Sequence, residues 1–352
     1  MYAYIGSRTT RDRHARGEGI SIYQVNTDTG ELIPVQVLKG MTNPSFLALN
    51  SSGTRLYAVH GDTSTVSSYT VDTNTGKLAP LNRQETGGMN PVHLALDPSE
   101  CYLVISNHIG ANLAVLPITR DGLLEPVSQL VSLIGMGEPG PHRIEQKHAK
   151  PHHNPFSVTG RHVLVPDKGL DRIFTYSFSD GQLSPVQPIS VSSREGSGPR
   201  HIAFHPNANH AYCINELDST VTTYRYHSLT GALQAEQILS TLPASFTGNN
   251  RAAEIIVDAA GRYVYATNRG HDSIAIFSIA SNGLLSWAGC EKSGGRTPRF
   301  IALAPGGRHL YALNEDDDCI CTFSVDPATG SLRNTGVLLI PEGSPVCMIF
   351  ST

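Results

Sequence analysis

Short runs of alternating apolar and polar residues, separated by turn-forming residues, recur along the whole chain. The stretch from Pro44 to Glu85 contains one complete unit. Its predicted strands are Phe46–Leu49, Leu56–His60, Val66–Val71 and Leu78–Arg83, and its clearest turns are Asn50–Gly53 and Asp72–Gly76. Alternation with a period of two predicts pleated strands, and turns this short join antiparallel neighbours. The unit is therefore predicted to be a four-stranded antiparallel sheet.

The unit repeats seven times, and a Gly-x-Leu step marks each repeat. The steps begin at Gly30, Gly76, Gly122, Gly181, Gly231, Gly283 and Gly330. Their spacing of about 50 residues is typical of β-propeller blades. Residues 1–40 supply the last three strands of a blade and residues 345–350 a lone first strand, so the two ends are expected to pair and close the ring. The sequence thus predicts an all-β, seven-bladed β-propeller of four-stranded antiparallel blades, with residues 1–352 forming a single domain.

Polar residues are concentrated where the second strand of each blade ends. Second strands end on the face where first strands begin, so these residues are expected to surround one mouth of the central channel. The terminal residues are Ser7, His60, Asn107, Asp167, Asn215, Asn268 and Asn314, and the residues after them are Arg8, Gly61, His108, Lys168, Glu216, Arg269 and Glu315. Arg200, Arg299 and His93 join them from first strands. Either the Asn and Asp side chains cap the turns that follow, or the mouth binds a small charged ligand.

Two loops depart from the repeat, and both are expected on the side of this mouth. The longest interval between Gly-x-Leu steps contains a polar insertion at residues 135–153. The other loop, residues 8–16, carries Arg8, Arg11, Arg13 and Arg16. These arginines are expected either to attract a phosphate or carboxylate, or to form a solvated loop paired with acidic neighbours.

Composition and charge exclude several classes of partner. The formal net charge of −4 and the pI of about 6.4 argue against nucleic acid and against an anionic membrane surface. No apolar run approaches the ~18 residues of a membrane span, and residues 1–6 enter a strand without the features of a signal peptide. The six cysteines have no spacing typical of a zinc site. We expect a cytoplasmic monomer with buried thiols and without a metal or cofactor.

The chemical motifs of serine hydrolases, zinc hydrolases and P-loop proteins are absent from the sequence. Instead, a set of segments resembles the lactonase seven-bladed propeller family, which holds bacterial 6-phosphogluconolactonases and fungal carboxymuconate-lactonising enzymes. The segments are Lys150-Pro151-His152, Val165 to Arg172, Gly198 to His201, Asn215-Glu216-Leu217 and Asn268-Arg269-Gly270. The similarity covers essentially the whole chain.

The resemblance implies His152, Arg200, Glu216 and Arg269 as catalytic residues. Relatives often have His-x-His where this chain has Lys150-Pro151-His152, so His148 and His153 are alternatives to His152. Further candidate contacts of the substrate at the mouth are Asp167, Lys168, His201, Asn215, Asn268, Arg299 and Arg8.

These residue types suit lactone chemistry. Hydrolysis requires a base that activates water, stabilisation of an oxyanion, and an acid for the leaving alkoxide. Glu216 or His152 suits the base and the acid, while Arg200 and Arg269 suit binding of a carboxylate or phosphate. The structural alternatives are that Arg200 and Glu216 form only a salt bridge between blades, and that His152 is only a turn residue.

The leading expectation is a lactonase that hydrolyses an anionic sugar lactone, with 6-phosphogluconolactone as the first candidate substrate. A cycloisomerase that forms the lactone of a carboxymuconate-like diacid would use the same residue types in another order. A propeller that binds a peptide or protein without catalysis is the third alternative. It would require an apolar mouth, whereas this one is charged and the single tryptophan, Trp287, lies in a predicted outer strand.

Overall fold

Seven small antiparallel sheets make up the structure, a computed structural model that describes residues 1–339 and 343–351. Blade one contains β1 (Tyr2–Ser7), β2 (Gly19–Val25) and β3 (Leu32–Lys39), and blade two contains β4 (Pro44–Leu49), β5 (Arg55–His60), β6 (Thr65–Val71) and β7 (Leu78–Glu85). Blade three contains β8 (Pro91–Leu96), β9 (Tyr102–Asn107), β10 (Asn112–Pro117) and β11 (Gln129–Ser132), and blade four contains β12 (His162–Asp167), β13 (Arg172–Ser179) and β14 (Gln182–Ser192).

The second half of the chain continues the same order. Blade five contains β15 (Pro199–Phe204), β16 (His210–Asn215), β17 (Thr220–Tyr226) and β18 (Leu233–Ser240), and blade six contains β19 (Arg251–Val257), β20 (Tyr263–Arg269), β21 (Ser273–Ile279) and β22 (Leu285–Lys292). Blade seven contains β23 (Pro298–Leu303), β24 (His309–Asn314), β25 (Cys319–Val325) and β26 (Leu332–Leu339), and β27 (Pro345–Phe350) returns to blade one. Two short 3-10 turns, Arg11–Arg13 and Glu315–Asp317, lie between strands. The predicted seven-bladed β-propeller is confirmed.

The two ends of the chain close the ring as predicted. β27 pairs with β1 in antiparallel register, with Ala3 opposite Phe350 and Tyr4 opposite Ile349. β27 is also the innermost strand of its blade, because it contacts the innermost strands of the neighbouring blades, β4 and β23. Closure therefore removes a free sheet edge between the first and last blades.

Blade four departs from the predicted four strands. Its innermost position is occupied by an irregular segment, residues 150–157, which forms only two isolated bridges to β12, Pro151 to Asp167 and Phe156 to Val163. Pro151 and Pro155 have no backbone N–H to donate, so a regular ladder cannot form here. His152, expected in a first strand, lies in this irregular segment, while its backbone N–H still donates to the carbonyl oxygen of Pro166.

Apolar side chains fill the space between neighbouring blades. Blades two and three, for example, bury one cluster that includes Tyr57, Val59, Leu103 and Ile105. Tyrosine hydroxyls of second strands donate to glycine carbonyls of the next blade, as in the pairs Tyr57 to Gly122, Tyr212 to Gly283, Tyr265 to Gly330 and Tyr311 to Gly30. Each of these glycines begins one of the Gly-x-Leu steps, so the sequence repeat records a contact between blades.

The six cysteines are free thiols, but they are not uniformly buried as expected. Cys213, Cys319, Cys321 and Cys347 are buried, whereas Cys101 is exposed on the turn before β9. Within residues 1–339 and 343–351, no helix is both long and apolar enough to span a membrane.

Candidate active site

One mouth of the channel narrows to a small cavity between the first strands of the blades. Charged and imidazole side chains form much of its lining, namely Arg8, His152, Arg200, His201, Glu254 and Arg299. Apolar lining comes from Phe46, Val92, Phe300 and Val346. The proline at the start of several first strands has no N–H to bond, and a register shift directly after Pro199 and Pro298 brings the next residue to the cavity wall.

Glu216 lies at the centre of a cation cluster formed by Lys168, Arg200, Arg251 and Arg269. Its Oε1 is 3.3 Å from Lys168 Nζ and 3.4 Å from Arg251 Nη1, and its Oε2 is 3.2 Å from Arg200 Nε and 3.3 Å from Arg269 Nη2. Burial alone would raise the pKa of Glu216, but the surrounding cations hold that pKa well below its usual range. Glu216 is therefore an ionised carboxylate, which is a poor proton donor and a weak base.

The inserted loop, residues 135–153, contacts this cation cluster through Glu145. Glu145 lies 3.0 Å from Lys168 Nζ and 2.7 Å from Arg251 Nη1. Gln146 Nε2 donates to the carbonyl oxygen of Lys168, and Gly140 N–H donates to that of Gly169. These bonds fix the loop against the end of β12, beside the mouth.

A second charged group lies across the cavity, where Arg8 Nε is 2.9 Å and Arg299 Nη1 is 3.5 Å from Glu315. Burial first, and then repulsion by Arg299, lowers the pKa of Arg8 to about 9. Arg8 Nη1 is buried without a hydrogen-bond partner among the described residues, and it lies 4.0 Å from the nearest Asp62 oxygen. Two guanidinium groups thus share one glutamate and retain capacity for an anion.

Only Arg8 of the arginine-rich loop lines the cavity. Arg13 pairs with Asp62, Arg16 pairs with Asp318, and Arg11 is exposed. The solvated alternative therefore describes the outer part of the loop, and the ligand-facing alternative is restricted to Arg8.

Five histidines form a contiguous group beside the cavity, and we call it the histidine cluster: His93, His108, His152, His153 and His201. Ring centroids of neighbours in the cluster are 4.0 to 5.1 Å apart. Burial is the largest cause that lowers the pKa of every member, and nearby cations add to it. The imidazoles are therefore neutral at pH 7. No group of three or more His, Cys, Asp or Glu side chains in the described residues has the geometry of a metal site.

A series of hydrogen bonds runs along the wall of the cavity. His152 Nδ1 is 3.2 Å from His201 Nε2, and His201 Nδ1 is 2.9 Å from Glu254 Oε1. All three side chains are buried. Burial raises the pKa of Glu254 to about 8, although Arg200 and Arg299 oppose that shift.

Three of the predicted substrate contacts have hydrogen-bond partners within the protein. Asp167 Oδ1 accepts backbone N–H bonds from Lys150, Gly169 and Leu170. Asn215 Nδ2 donates to Thr220 and Thr222, and Asn268 Nδ2 donates to the carbonyl oxygen of Thr241. All three side chains are fully buried; Asp167 caps the turn that follows it, Asn215 bonds side chains of the next strand, and Asn268 joins its blade to Thr241. Lys168, His201, Arg299 and Arg8 reach the cavity or its charged rim as expected.

Sequence reasoning did not single out Arg251 and Glu254, although the repeat carried a signal for Glu254. Ala252 pairs with Asn268 in blade six as Pro199 pairs with Asn215 in blade five, and Ile255 then corresponds to Ile202. Glu254 therefore occupies in blade six the position of His201 in blade five. Blade six lacks the proline that marks this position in other blades, which concealed the correspondence.

Comparisons with known proteins agree with this architecture. The sequence matches the family model described as "Lactonase, 7-bladed beta-propeller" over residues 2–350. It is 33% identical over 309 residues to 6-phosphogluconolactonase of Bacillus subtilis, covering 87% of this chain and 86% of that one, and 30% identical over 361 residues to 6-phosphogluconolactonase of Formosa agariphila, covering 99% of each.

The structure is also similar to the periplasmic gluconolactonase of Pseudomonas aeruginosa. The TM-score is 0.91 with 27% sequence identity, over 100% of this chain and 99% of that one. Together with the family match over nearly the whole sequence, this shows that the chain belongs to the lactonase seven-bladed β-propeller family.

Proposed function

We propose that this protein is a lactonase that hydrolyses a phosphorylated sugar lactone of the 6-phosphogluconolactone type. The observation that carries the proposal is that one cavity is lined by Arg8, Arg200, Arg299 and a neutral His152. The cavity thus combines capacity for an anion with a group that can accept a proton. Relatives named 6-phosphogluconolactonase support the same choice of substrate class.

The anionic group of the substrate is assigned to Arg8 and Arg299. Each guanidinium presents planar N–H donors that match a phosphate, and Glu315 and Asp62 together balance only two of the three charges of Arg8, Arg13 and Arg299. A bound phosphate would also give Arg8 Nη1 the hydrogen bond that it lacks. The substrate would therefore relieve the repulsion between the two arginines.

The lactone carbonyl is assigned to the opposite side of the cavity, between His152 and Arg200. There a neutral imidazole can take a proton from water, and Arg200 can stabilise the negative oxygen that develops on the carbonyl. Glu216 is assigned to hold Arg200 and Arg269 in place, because its low pKa makes it unsuited to proton transfer. This assignment gives His152, rather than Glu216, the role of base.

We also propose that the protein acts as a monomer in the cytoplasm and needs no nucleic acid or membrane. Support for this compartment comes from its six free thiols, of which Cys101 is exposed to solvent. A related gluconolactonase acts in the periplasm, so compartment is a property to be tested for each member.

The test measures hydrolysis by the purified protein of 6-phosphoglucono-δ-lactone, glucono-δ-lactone and carboxymuconolactone, after subtraction of spontaneous hydrolysis. We expect the phosphorylated lactone to be preferred, and His152→Asn to lower kcat by about a hundredfold or more. Arg8→Ala should raise KM for the phosphorylated lactone at least tenfold and change KM for glucono-δ-lactone little. Arg11→Ala is the matched control, since Arg11 is exposed on the same loop.

Other outcomes redirect the proposal. Equal losses for both sugar lactones in Arg8→Ala would remove Arg8 from phosphate recognition. Turnover of carboxymuconate compounds alone would favour the cycloisomerase. Absence of turnover across the panel would contradict the lactonase and favour a binding protein.

A further inference from the structure

The chain of hydrogen bonds from His152 through His201 to Glu254 has a property that neither histidine has alone. The two contacts are 3.2 Å between the imidazoles and 2.9 Å between His201 and Glu254. Each contact holds one hydrogen atom, so the position of one proton decides the position of the next. His152 Nε2, at the end of the series opposite Glu254, has no hydrogen-bond partner among the described residues.

An ionised Glu254 fixes one arrangement of protons. Its Oε1 accepts the Nδ1 proton of His201, so His201 Nε2 is a bare nitrogen that accepts the Nδ1 proton of His152. His152 Nε2 then carries a lone pair toward the cavity. In this arrangement His152 is a base.

A protonated Glu254 fixes the opposite arrangement. Its O–H donates to His201 Nδ1, His201 Nε2–H donates to His152 Nδ1, and His152 Nε2 carries a hydrogen. Both imidazoles are neutral in this arrangement as well, but His152 is now an acid. Whether Glu254 is protonated therefore decides whether His152 Nε2, two hydrogen bonds away, acts as a base or as an acid.

We propose that Glu254 is the store for the proton of the reaction, and that His201 passes this proton between Glu254 and His152. The inference rests on the proposed lactonase function. Glu254 and His201 are positioning and relay residues here, because only His152 is assigned to contact the reacting atoms.

The steps balance as follows. An O–H bond of water breaks and its electron pair forms the new bond to the lactone carbonyl carbon; the π pair of the C=O bond moves onto the carbonyl oxygen, beside Arg200, and the proton goes to His152 Nε2. The Nδ1 proton of His152 moves to His201 Nε2, and the Nδ1 proton of His201 moves to Glu254. An electron pair of the oxyanion then re-forms the C=O double bond, the ring C–O bond breaks, and its electron pair stays on the ring oxygen. The proton on Glu254 returns to His201 Nδ1, that on His201 Nε2 returns to His152 Nδ1, and the proton on His152 Nε2 goes to the ring oxygen to give the hydroxy acid.

The charges around His152, His201 and Glu254 favour storage of the proton on Glu254 over storage on either histidine. His152 faces Arg200, Lys168 and His108, and His201 faces Arg200, Arg299, His93 and His153, so an imidazolium at either position is repelled. Burial, and after it these groups, hold the pKa of both histidines well below the usual range. A proton on Glu254 instead removes a buried negative charge.

Glu254 is suited to take and release a proton near neutral pH. The groups that act on its charge are Arg200 of β15, Arg299 of β23 and the Cys347 thiol of β27. Its Oε1 also accepts the backbone N–H of Ile255, and its Oε2 is buried without a hydrogen-bond partner among the described residues. Burial raises its pKa to about 8 in spite of the two arginines. Its unpaired oxygen and the lack of a direct ion pair explain why it differs from Glu216, which contacts four cations.

The first experiment compares the pH dependence of kcat/KM for 6-phosphoglucono-δ-lactone in wild type, Glu254→Gln and Glu254→Asp. Since the base form of His152 requires ionised Glu254, wild-type kcat/KM is expected to rise as pH increases through about 8 and to level off above about pH 9. Glu254→Gln should lower the plateau about a hundredfold and abolish the rise. Glu254→Asp retains a carboxylate and should keep the rise at a reduced rate. Retention of both the rate and the rise by a folded Glu254→Gln protein would overturn the relay.

A second measurement needs no substrate and separates the relay from the lactonase proposal. In ¹⁵N spectra of wild type, His152 Nε2 should change from a protonated to an unprotonated nitrogen between pH 6 and pH 9, with both imidazoles neutral throughout. Glu254→Gln should show no such change. An Nε2 that keeps one state across this range in wild type would overturn the relay even if the enzyme is active. A switch in a protein without lactonase activity would overturn only the proposed function.

Discussion

The carboxylate of Glu216 is the shared counter-ion of four cations at the mouth. Replacing it with glutamine would leave Lys168, Arg200, Arg251 and Arg269 close together without their shared counter-ion. Removing one partner of a buried ion pair costs about 3 kcal/mol or more. We therefore expect Glu216→Gln to lower the free energy of unfolding by about this amount at pH 7, measured by denaturant or thermal unfolding.

The pH dependence of that loss identifies its cause. Because the folded-state pKa of Glu216 lies well below the ordinary value of about 4.3, its stabilising effect is complete above pH 4.3 and declines as pH falls below it. The difference in Tm between wild type and Glu216→Gln should therefore narrow in acid. A difference that stays constant down to pH 3 would mean that packing, not charge, is responsible. Glu125→Gln, at an exposed position, is the control and should have little effect.

At the scale of the strand and turn, the Gly-x-Leu step makes a testable contact between blades. Gly231 has φ +75° and packs against blade four, where an added Cβ would lie 2.7 Å from the His162 ring and 2.9 Å from Thr175 Cγ2. Gly53 has a similar φ of +65°, but an added Cβ would meet nothing within 4 Å. Both alanine variants incur left-handed strain of about 1 kcal/mol, and Gly231→Ala adds about 1–3 kcal/mol of overpacking.

Thermal unfolding of the two variants separates conformational strain from contact between blades. Gly231→Ala should have a clearly lower Tm than Gly53→Ala. Equal Tm values would show that the glycine is required only for its backbone conformation, and that the packing of one blade on the next tolerates a methyl group.

The strand-and-turn repeat explains how much of the structure the sequence predicts. The repeat specifies the number of blades and the closing pair of strands because each blade must bury the same faces against its neighbours. The repeat also brings His152, Arg200, Glu216 and Arg269 to one mouth, because first strands begin on the face where second strands end. The repeat fails where backbone pairing fails, at Pro151 and Pro155.

Two kinds of information lay beyond the pattern. The first is the pairing of charges, since only side-chain geometry shows that Arg13 turns away to Asp62 while Arg8 enters the cavity. The second is the set of charges around a buried group: burial raises the pKa of both Glu254 and Glu216, but the cations around Glu216 bring its pKa well below the usual range. Their roles follow from surroundings assembled from several blades, and no local motif encodes them.

At the scale of the whole molecule, the overall charge and the charge of the mouth have opposite signs. The chain carries a formal net charge of −4, yet cations outnumber ion-paired glutamates around the cavity. The cations are Arg8, Lys150, Lys168, Arg200, Arg251, Arg269 and Arg299, and the glutamates are Glu145, Glu216 and Glu315. An anionic substrate is therefore repelled by the distant surface and attracted by the mouth.

The salt dependence of kcat/KM shows whether the cations at the mouth or the negative net charge of the protein governs binding of the substrate. Salt screens charges beyond about 10 Å at 0.1 M, so attraction by the mouth predicts that kcat/KM for 6-phosphoglucono-δ-lactone falls as salt rises, by about tenfold if steering is strong. Repulsion by the whole chain predicts the opposite sign. Neutral glucono-δ-lactone is the control, and its kcat/KM should change little. A rise with salt for the phosphorylated lactone would contradict local steering, because the net charge of the molecule would then outweigh the arginines at its mouth.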